Sequence, residues 1–493
     1  MALRSKARCA KATKFIPLRN SPPQRPLRGA HRAGEISNGI YRASFMKSYL
    51  SRFTRWGLLL FAFLVPIGTK KFLFDFPTPF RNYYTSEYTS AFLYASDVIF
   101  LICFLLLIFS RPLSQWREWL NESFKKFRAP LFFLALFLIL GAASLFSASY
   151  FNFGSYSFGR LALCVLSALM IGAVLKSGIV RFKEILAAIS IAAVFESIIG
   201  FLQFVLGKSV GLWFLGETIF DSRTPGIAKV SVNGLNFVRA YGTMPHANIL
   251  AGFLVLGLLS FFYLFIREEK RYWKTLQVAG IFIVLTGLFI TFSRSGWITA
   301  IVSTLFLIIW EFFSDKVRRG NIIYLVSLLL VSCLLLFVIL GWIVSPRASF
   351  SMNEGPVADR LSYDKIGTEL IFSNPLGVGV GNELFYAYRN NFFAKYDVNS
   401  LGQWQPIHNL YLMISSETGV LGFISFATFI ILLLIKSFDG KKLGGLSSES
   451  KTAIVMLLAL LFFGLFDHFL WDLELGRLML WVAIGILLGT AEK

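Results

Sequence analysis

Apolar residues along this chain come in long unbroken runs, separated by short polar or turn-rich connections. Runs of roughly 18 to 25 residues are what a helix needs to cross a hydrocarbon core of about 30 Å. They lie near 56–73, 91–110, 129–149, 158–176, 184–206, 247–266, 275–292, 296–313, 321–344, 409–435, 452–469 and 475–490. Every backbone amide in lipid needs an internal partner, which leaves helices or a closed barrel. Barrel strands alternate in polarity and these runs do not, so the pattern predicts an all-α integral membrane protein of about twelve transmembrane helices. The first run is interrupted by Pro66, Lys70 and Lys71. Before it, residues 1–55 form a basic arm with Glu35 as its one acid and breakers at Pro22, Pro23 and Pro26. That arm is predicted to be disordered and cytoplasmic, ahead of a polytopic domain over 56–493. An Arg-rich, acid-poor arm also has the composition of an organellar transit peptide. A start at Met46, which opens a short Met-Lys-Ser-Tyr stretch, is preferred to that reading.

Composition agrees with membrane residence: 56% of the 493 residues are hydrophobic and only 15% are charged. The 53 Phe residues suit a lipid-facing surface and mark no site. A net charge of +21 would suit nucleic acid, but its distribution argues otherwise, because the basic residues fall in the arm and in short connections. With the N-terminus inside, alternate connections carry Arg111, Arg117, Lys125, Lys126 and Arg128; Lys176, Arg181 and Lys183; Arg267, Lys270, Arg271 and Lys274; Lys316, Arg318 and Arg319; and Lys436, Lys441, Lys442 and Lys451. All five groups then fall on the cytoplasmic side, as the positive-inside rule requires, and both termini are expected there. The opposite face receives two long loops, about 207–246 and, between the ninth and tenth helices, 345–408. In the second, residues 359–373 have helical spacing and precede the turn-rich Asn374-Pro375-Leu376-Gly377-Val378-Gly379-Val380-Gly381-Asn382. Loops of such length usually carry function. Cys103, Cys164 and Cys333 sit inside apolar runs and Cys9 in the arm, with neither zinc spacing nor a disulfide framework.

Four polar stretches share the outside face. Arg239-Ala240-Tyr241-Gly242-Thr243-Met244-Pro245-His246-Ala247-Asn248 leads into the sixth span, and Thr291-Phe292-Ser293-Arg294-Ser295-Gly296-Trp297 turns between the seventh and eighth. The segment from Arg360 to Asn382 follows, and His408-Asn409-Leu410-Tyr411 then runs on to Glu417-Thr418-Gly419-Val420-Leu421-Gly422. An Arg at the hydrocarbon boundary, on the face where positive charge is disfavoured, needs an anionic partner. A guanidinium fork matches phosphate oxygens and stays charged, so Arg239 and Arg294 suit a pyrophosphate whose lipid tail lies in the bilayer. Snorkelling, or pairing with a local acid, is the plainer account of each. A neutral imidazole at His408 could take a proton from a sugar hydroxyl, although a lone His at a helix start is commonly a cap. His246 has equal chemical standing. His468, beside Asp467, is the weakest of the three, because Trp471 and Asp472 fit an ordinary interfacial belt. Glu417 in the tenth span needs a partner or a proton, with an outside arginine as the expected partner, and Glu196 in the fifth span has the same standing. There is no phosphate-binding glycine loop, no His-Glu-x-x-His and no outside acidic cluster with metal spacing, which disfavours ATP hydrolysis, zinc proteolysis and metal-assisted transfer.

In order along the chain, these motifs read Arg-x-x-Gly-x-x-x-His-x-Asn, Ser-Arg-Ser-Gly-Trp, Asn-Pro-x-Gly-x-Gly and His-Asn-x-Tyr-(x)5-Glu-x-Gly-x-x-Gly. Together they resemble the O-antigen ligase and polysaccharide polymerase superfamily, over roughly 230–435. The resemblance implies a GT-C type glycosyltransferase in the bacterial inner membrane, with its active face periplasmic. The implied donor is an undecaprenyl-pyrophosphate-linked glycan and the acceptor a glycan, lipid or protein hydroxyl, with no metal or cofactor and no nucleic acid. It further implies that His408 is the general base and that Arg239 and Arg294 hold the pyrophosphate, with Arg360 a weaker match for a positioning residue. Where the family commonly has Pro-Asn, this chain has Pro245-His246-Ala247-Asn248, which leaves the role of His246 open and keeps it, with Glu417, a secondary candidate. A chain polymerase of lipid-linked repeats shares the donor chemistry and is the alternative enzyme. A transporter or flippase of lipid-linked sugars would place functional charges near the bilayer midplane and often shows an internal repeat. No such repeat is found, the charges cluster at one face, and a channel or sensor has no specific support.

Overall fold

The computed structural model describes residues 50–80, 86–110, 113–348, 355–398, 404–438 and 445–491. The basic arm through residue 49, with Cys9 and Met46, lies outside the described residues, as do Arg111, Glu354, Lys441, Lys442 and the side chains of Arg117 and Arg347.

The chain enters through helix α1, residues 50–64, so the last six residues assigned to the arm are helical. Arg55 there pairs with Glu184 at 2.8 Å. The expected first span, 56–73, is not one helix. Pro66 has no N–H for a helical bond and disfavours helix in the residue before it, so α1 stops short of it. Beyond Gly68 the chain becomes strand β1 (Lys70–Asp75), paired antiparallel with β2 (Ser90–Tyr94) from Lys70↔Tyr94 to Asp75↔Ser90. Helices α2 (Ala95–Phe109), α3 (Leu113–Phe124), α4 (Arg128–Ser144), α5 (Phe151–Lys176) and α6 (Phe182–Leu206) follow. A hairpin of β3 (Lys229–Val232) and β4 (Leu235–Val238) occupies the first long loop. Then come α7 (Ala247–Arg267), α8 (Arg271–Ile290), α9 (Arg294–Ser314) and α10 (Arg319–Ala348). The second long loop holds α11 (Gly355–Ser373), α12 (Glu383–Arg389) and α13 (Phe392–Lys395), which includes the helix expected over 359–373. The chain closes with α14 (Leu410–Phe438), α15 (Ser448–Phe463), the short α16 (Phe469–Asp472) and α17 (Glu474–Thr490).

Among the described residues, eight helices are long and apolar enough to cross a membrane: the stretch Glu118–Ser147 around α4, and α5, α6, α7, α8, α9, α10 and α14. The other four expected spans coincide with the shorter α1, α2, α15 and α17; α2 has 15 residues, α15 has 16 and α17 has 17. Part of the first two apolar runs is thus spent on a turn and strands that apolar composition alone cannot distinguish from helix. The chain is a multi-pass membrane protein.

Small residues let these helices approach closely, as bundles in lipid require. Gly485 and Gly489 of α17 face α5, and a Cβ at Gly485 would lie 2.7 Å from the Ala168 carbonyl oxygen. Two sets of buried charges inside the bundle are paired with each other, as burial in apolar surroundings favours. Arg160 of α5 makes a two-pronged bond to Asp97 of α2 at 2.6 and 2.9 Å and also binds Glu474 at 3.0 Å. Lys451, expected among the loop cations, is instead buried and pairs with Glu311 of α9 at 3.3 Å.

Candidate functional site

Three helix starts and one loop converge at the end of the bundle opposite the basic turns Arg267–Arg271 and Arg318–Arg319. The approach to α7 is bolted down from α6. Gln203 accepts the amides of Tyr241 and Gly242 at 3.0 and 2.9 Å and donates to the Gly242 carbonyl at 2.7 Å. Glu196 accepts the Thr243 amide and hydroxyl, both at 2.7 Å. It is thus a clamp on the loop rather than the partner of an arginine. Gly242 has φ of +63°, and a Cβ there would strike the Glu196 carboxylate, so both backbone and space call for glycine. Behind this clamp Arg239 is buried, donating to the Thr291 carbonyl at 2.6 Å and to Asn248 at 2.7 Å. Ser293 caps α9 by accepting the Gly296 amide at 3.2 Å, which sets Arg294 at the first turn.

The last motif builds the floor. Gly419 interrupts α14 with φ of +78°, and the amides and carbonyls freed there are taken up by the Asn374–Gly379 turn. Val378 and Gly379 donate to the carbonyls of Ser416 and Glu417 at 2.9 and 3.0 Å, and Val420 donates to that of Pro375 at 2.9 Å. Broken helices survive at membrane depth when other backbone satisfies them in this way. The glycines of Asn-Pro-x-Gly-x-Gly and Glu-x-Gly are therefore architectural. Glu417 is also placed away from the arginines: it accepts from the buried Trp471 indole at 2.6 Å and does not line the cavity described next.

That cavity, of about 560 Å³, is lined by Arg239, His246, Arg294, Arg360 and His408, five of the six residues singled out from sequence. Lys229, Asn248, Asp359, Tyr363, Asp467 and His468 also belong to its polar wall. Four Arg and Lys side chains face two Asp, so the lining is net positive before any histidine is counted. The N-termini of α7 and α9 add the positive ends of two helix dipoles. A larger cavity of about 800 Å³, between α2, α3, α4 and α5, is lined by apolar side chains apart from Asn121 and Arg128 and lacks acid–base groups.

Hydrogen bonding separates the histidines. The His246 Nδ1 accepts the Asn248 amide at 3.1 Å as the cap of α7, so in the neutral ring Nε2 carries the proton and can only donate. The His408 Nδ1 lies 2.8 Å from the Pro406 carbonyl oxygen, which can only accept, so Nδ1 carries the proton and Nε2 keeps a lone pair. His408 stacks on Tyr363, with ring centroids 5.2 Å apart, and meets His468 edge to face at 4.7 Å. Burial, with the charges of His468 and Arg360, pushes the His408 imidazole down to about 3, and burial beside Arg239 does the same to His246. For His468 burial opposes charge, yet Asp472 at 2.8 Å and Asp467 lift it to about 9. Asp467 is held below the usual carboxylate range by the surrounding cations despite its burial. It accepts from Asn248 at 2.7 Å and from the His468 amide at 2.9 Å, with Arg360 at 4.0 Å.

The interfacial-belt expectation for His468 is therefore corrected: it is buried, lines the cavity and touches His408, while Trp471 turns inward to Glu417. The legible signal was His468 and Asp472 at i, i+4 beside Asp467, in one further turn at the same end of the bundle.

Fold and site define a multi-pass membrane protein with a basic, histidine-bearing cavity where its helix starts converge. Over residues 279–427 the chain matches the family model described as O-antigen ligase, which supports a relation to the O-antigen ligase superfamily. No curated protein matches it. The matched stretch includes Arg294, Arg360 and His408, whereas Arg239 and His468 lie outside it.

Proposed function

We propose that the chain is a membrane glycosyltransferase that moves a glycan from an undecaprenyl-pyrophosphate donor to an acceptor hydroxyl. One observation carries the reading: Arg239, Arg294, Arg360 and His408, far apart in sequence, line one cavity that also receives two helix N-termini. Three guanidinium groups in a net-positive cavity suit a pyrophosphate, and the lone pair on His408 Nε2 supplies the base.

In the proposed step an acceptor hydroxyl oxygen attacks the anomeric carbon while His408 Nε2 takes its proton. The bond from that carbon to the phosphate oxygen breaks, and the electron pair leaves with the lipid pyrophosphate. Charge grows on that oxygen as the bond breaks, so the arginines stabilise the transition state more than the bound donor. A single displacement inverts the anomeric centre. With the basic helix ends cytoplasmic, the cavity opens to the periplasmic side of a bacterial inner membrane. His246, restricted to donating, orients donor or acceptor oxygens.

Proteoliposomes containing the full chain, an undecaprenyl-pyrophosphate oligosaccharide and a panel of acceptors test this. A second donor molecule, a lipid A core and a serine peptide distinguish chain polymerase from ligase. His408→Ala and Arg294→Ala should abolish transfer in folded protein. Full activity in both would overturn the site assignment, and donor translocation without a new glycosidic bond would favour a flippase.

A further inference from the structure

His468 has a place in the cavity that the transfer step above leaves unused. Its Nδ1 is committed to Asp472 at 2.8 Å, and the same Asp472 oxygen accepts from the Tyr88 hydroxyl at 2.9 Å. Its Nε2 lies 4.0 Å from Asp467 Oδ1, too far for a hydrogen bond. The ring is fixed from behind and touches the ring of His408 at 4.7 Å, on a cavity that also holds Arg360 and Arg239.

We propose that His468, held by Asp472, is a further ligand of the departing pyrophosphate, its Nε2–H donating to one of the phosphate oxygens. This rests on the glycosyl-transfer reading. His468 shares the cavity wall with Arg239, Arg294 and Arg360, so a cation on its ring faces the space proposed for the pyrophosphate, beside the base. Two adjacent imidazoles can serve the acceptor and the pyrophosphate separately when one is neutral and the other charged, and their surroundings divide them in this way. Asp472, Asp467 and Glu383 favour the cation on His468, while burial and the charges of His468 and Arg360 disfavour one on His408. His408 has only the Pro406 carbonyl at its Nδ1. The proton on His468 stays there through the step; a charge-assisted hydrogen bond is what the pyrophosphate gains. Tyr88 and Asp472 act through His468 and are positioning residues.

Binding of undecaprenyl pyrophosphate to the full chain in nanodiscs, measured from pH 6 to 10, tests this without knowledge of the acceptor. Wild-type affinity should hold to about pH 8 and fall as His468 loses its proton near 9. His468→Gln should weaken binding by about tenfold or more and remove that fall. Asp472→Asn should move the fall to lower pH, a change that a merely structural carboxylate would not produce. His468→Lys, which keeps a cation, should restore affinity and move the fall upward, and it guards against misfolding of the glutamine variant. Wild-type affinity and an unchanged pH profile in His468→Gln would overturn the proposal, as would an Asp472→Asn profile that does not move. Arg294→Ala separates the two levels: if it binds as wild type, the pyrophosphate reading fails, and if it alone loses binding, only the role of His468 fails.

Discussion

The nitrogen assignments at His246 and His408 make opposite forecasts for two similar substitutions. Glutamine at 408 retains a side-chain N–H for the Pro406 carbonyl but has no basic lone pair. Loss of a general base costs about 10²–10⁴ in rate, equivalent to about 3–5 kcal/mol of barrier, and should appear in kcat. Asparagine at 246 keeps an oxygen to cap α7 through the Asn248 amide and loses only the Nε2 donor. If that donor meets a charged oxygen, about 1.5–3 kcal/mol is lost, chiefly in donor KM. The pH profile sharpens the test. The folded pKa of His408 is lowered, so the neutral, competent ring persists as pH falls below the ordinary histidine range and is lost only near about 3. A histidine of ordinary pKa would leave only about 3% neutral at pH 5, roughly a thirtyfold drop in kcat/KM. The expected kcat/KM, which reports the free enzyme, shows no such drop. Bound pyrophosphate raises the His408 pKa, so the acid limb of kcat should lie at higher pH than that of kcat/KM. Transfer rates in proteoliposomes between pH 4.5 and 8 check both limbs. An acid limb of kcat/KM at the ordinary histidine position would refute the reasoning, as would an inactive His246→Asn beside an active His408→Gln.

Three further outcomes follow from the architecture. Gly242→Ala forces a side chain into a left-handed backbone against Glu196, costing about 1–2 kcal/mol for the conformation and about 1–3 for the clash, so thermal unfolding in nanodiscs should fall by several degrees. Trp471→Phe removes the 2.6 Å donor to the buried Glu417 and should cost about 1–3 kcal/mol in the same measurement, with kcat of the folded fraction kept. Gly485→Leu should separate α5 from α17 and reduce the yield of folded protein on size-exclusion chromatography, since the Ala168 carbonyl leaves no room for a Cβ.

Membrane residence, the helical class and the separation of basic turns from the polar stretches were legible in the sequence, because lipid allows few backbone solutions and charge placement along the chain is local information. Arg239, Arg294, Arg360 and His408, singled out from their polar stretches, line one cavity, although the sequence alone does not bring them together. The strand pair at Lys70–Asp75 and Ser90–Tyr94 was not, because an apolar run reads the same in strand and helix until its partner is known. Nor was the difference between the two Glu-bearing motifs and the site: Glu196 and Glu417 are bound by backbone and indole groups brought to them by packing. The placement of the proton on each histidine was likewise decided by tertiary structure. One ring has its Nδ1 on an amide, one on a carbonyl and one on a carboxylate, and those partners give the same residue type the chemistry of a donor, a base and a cation.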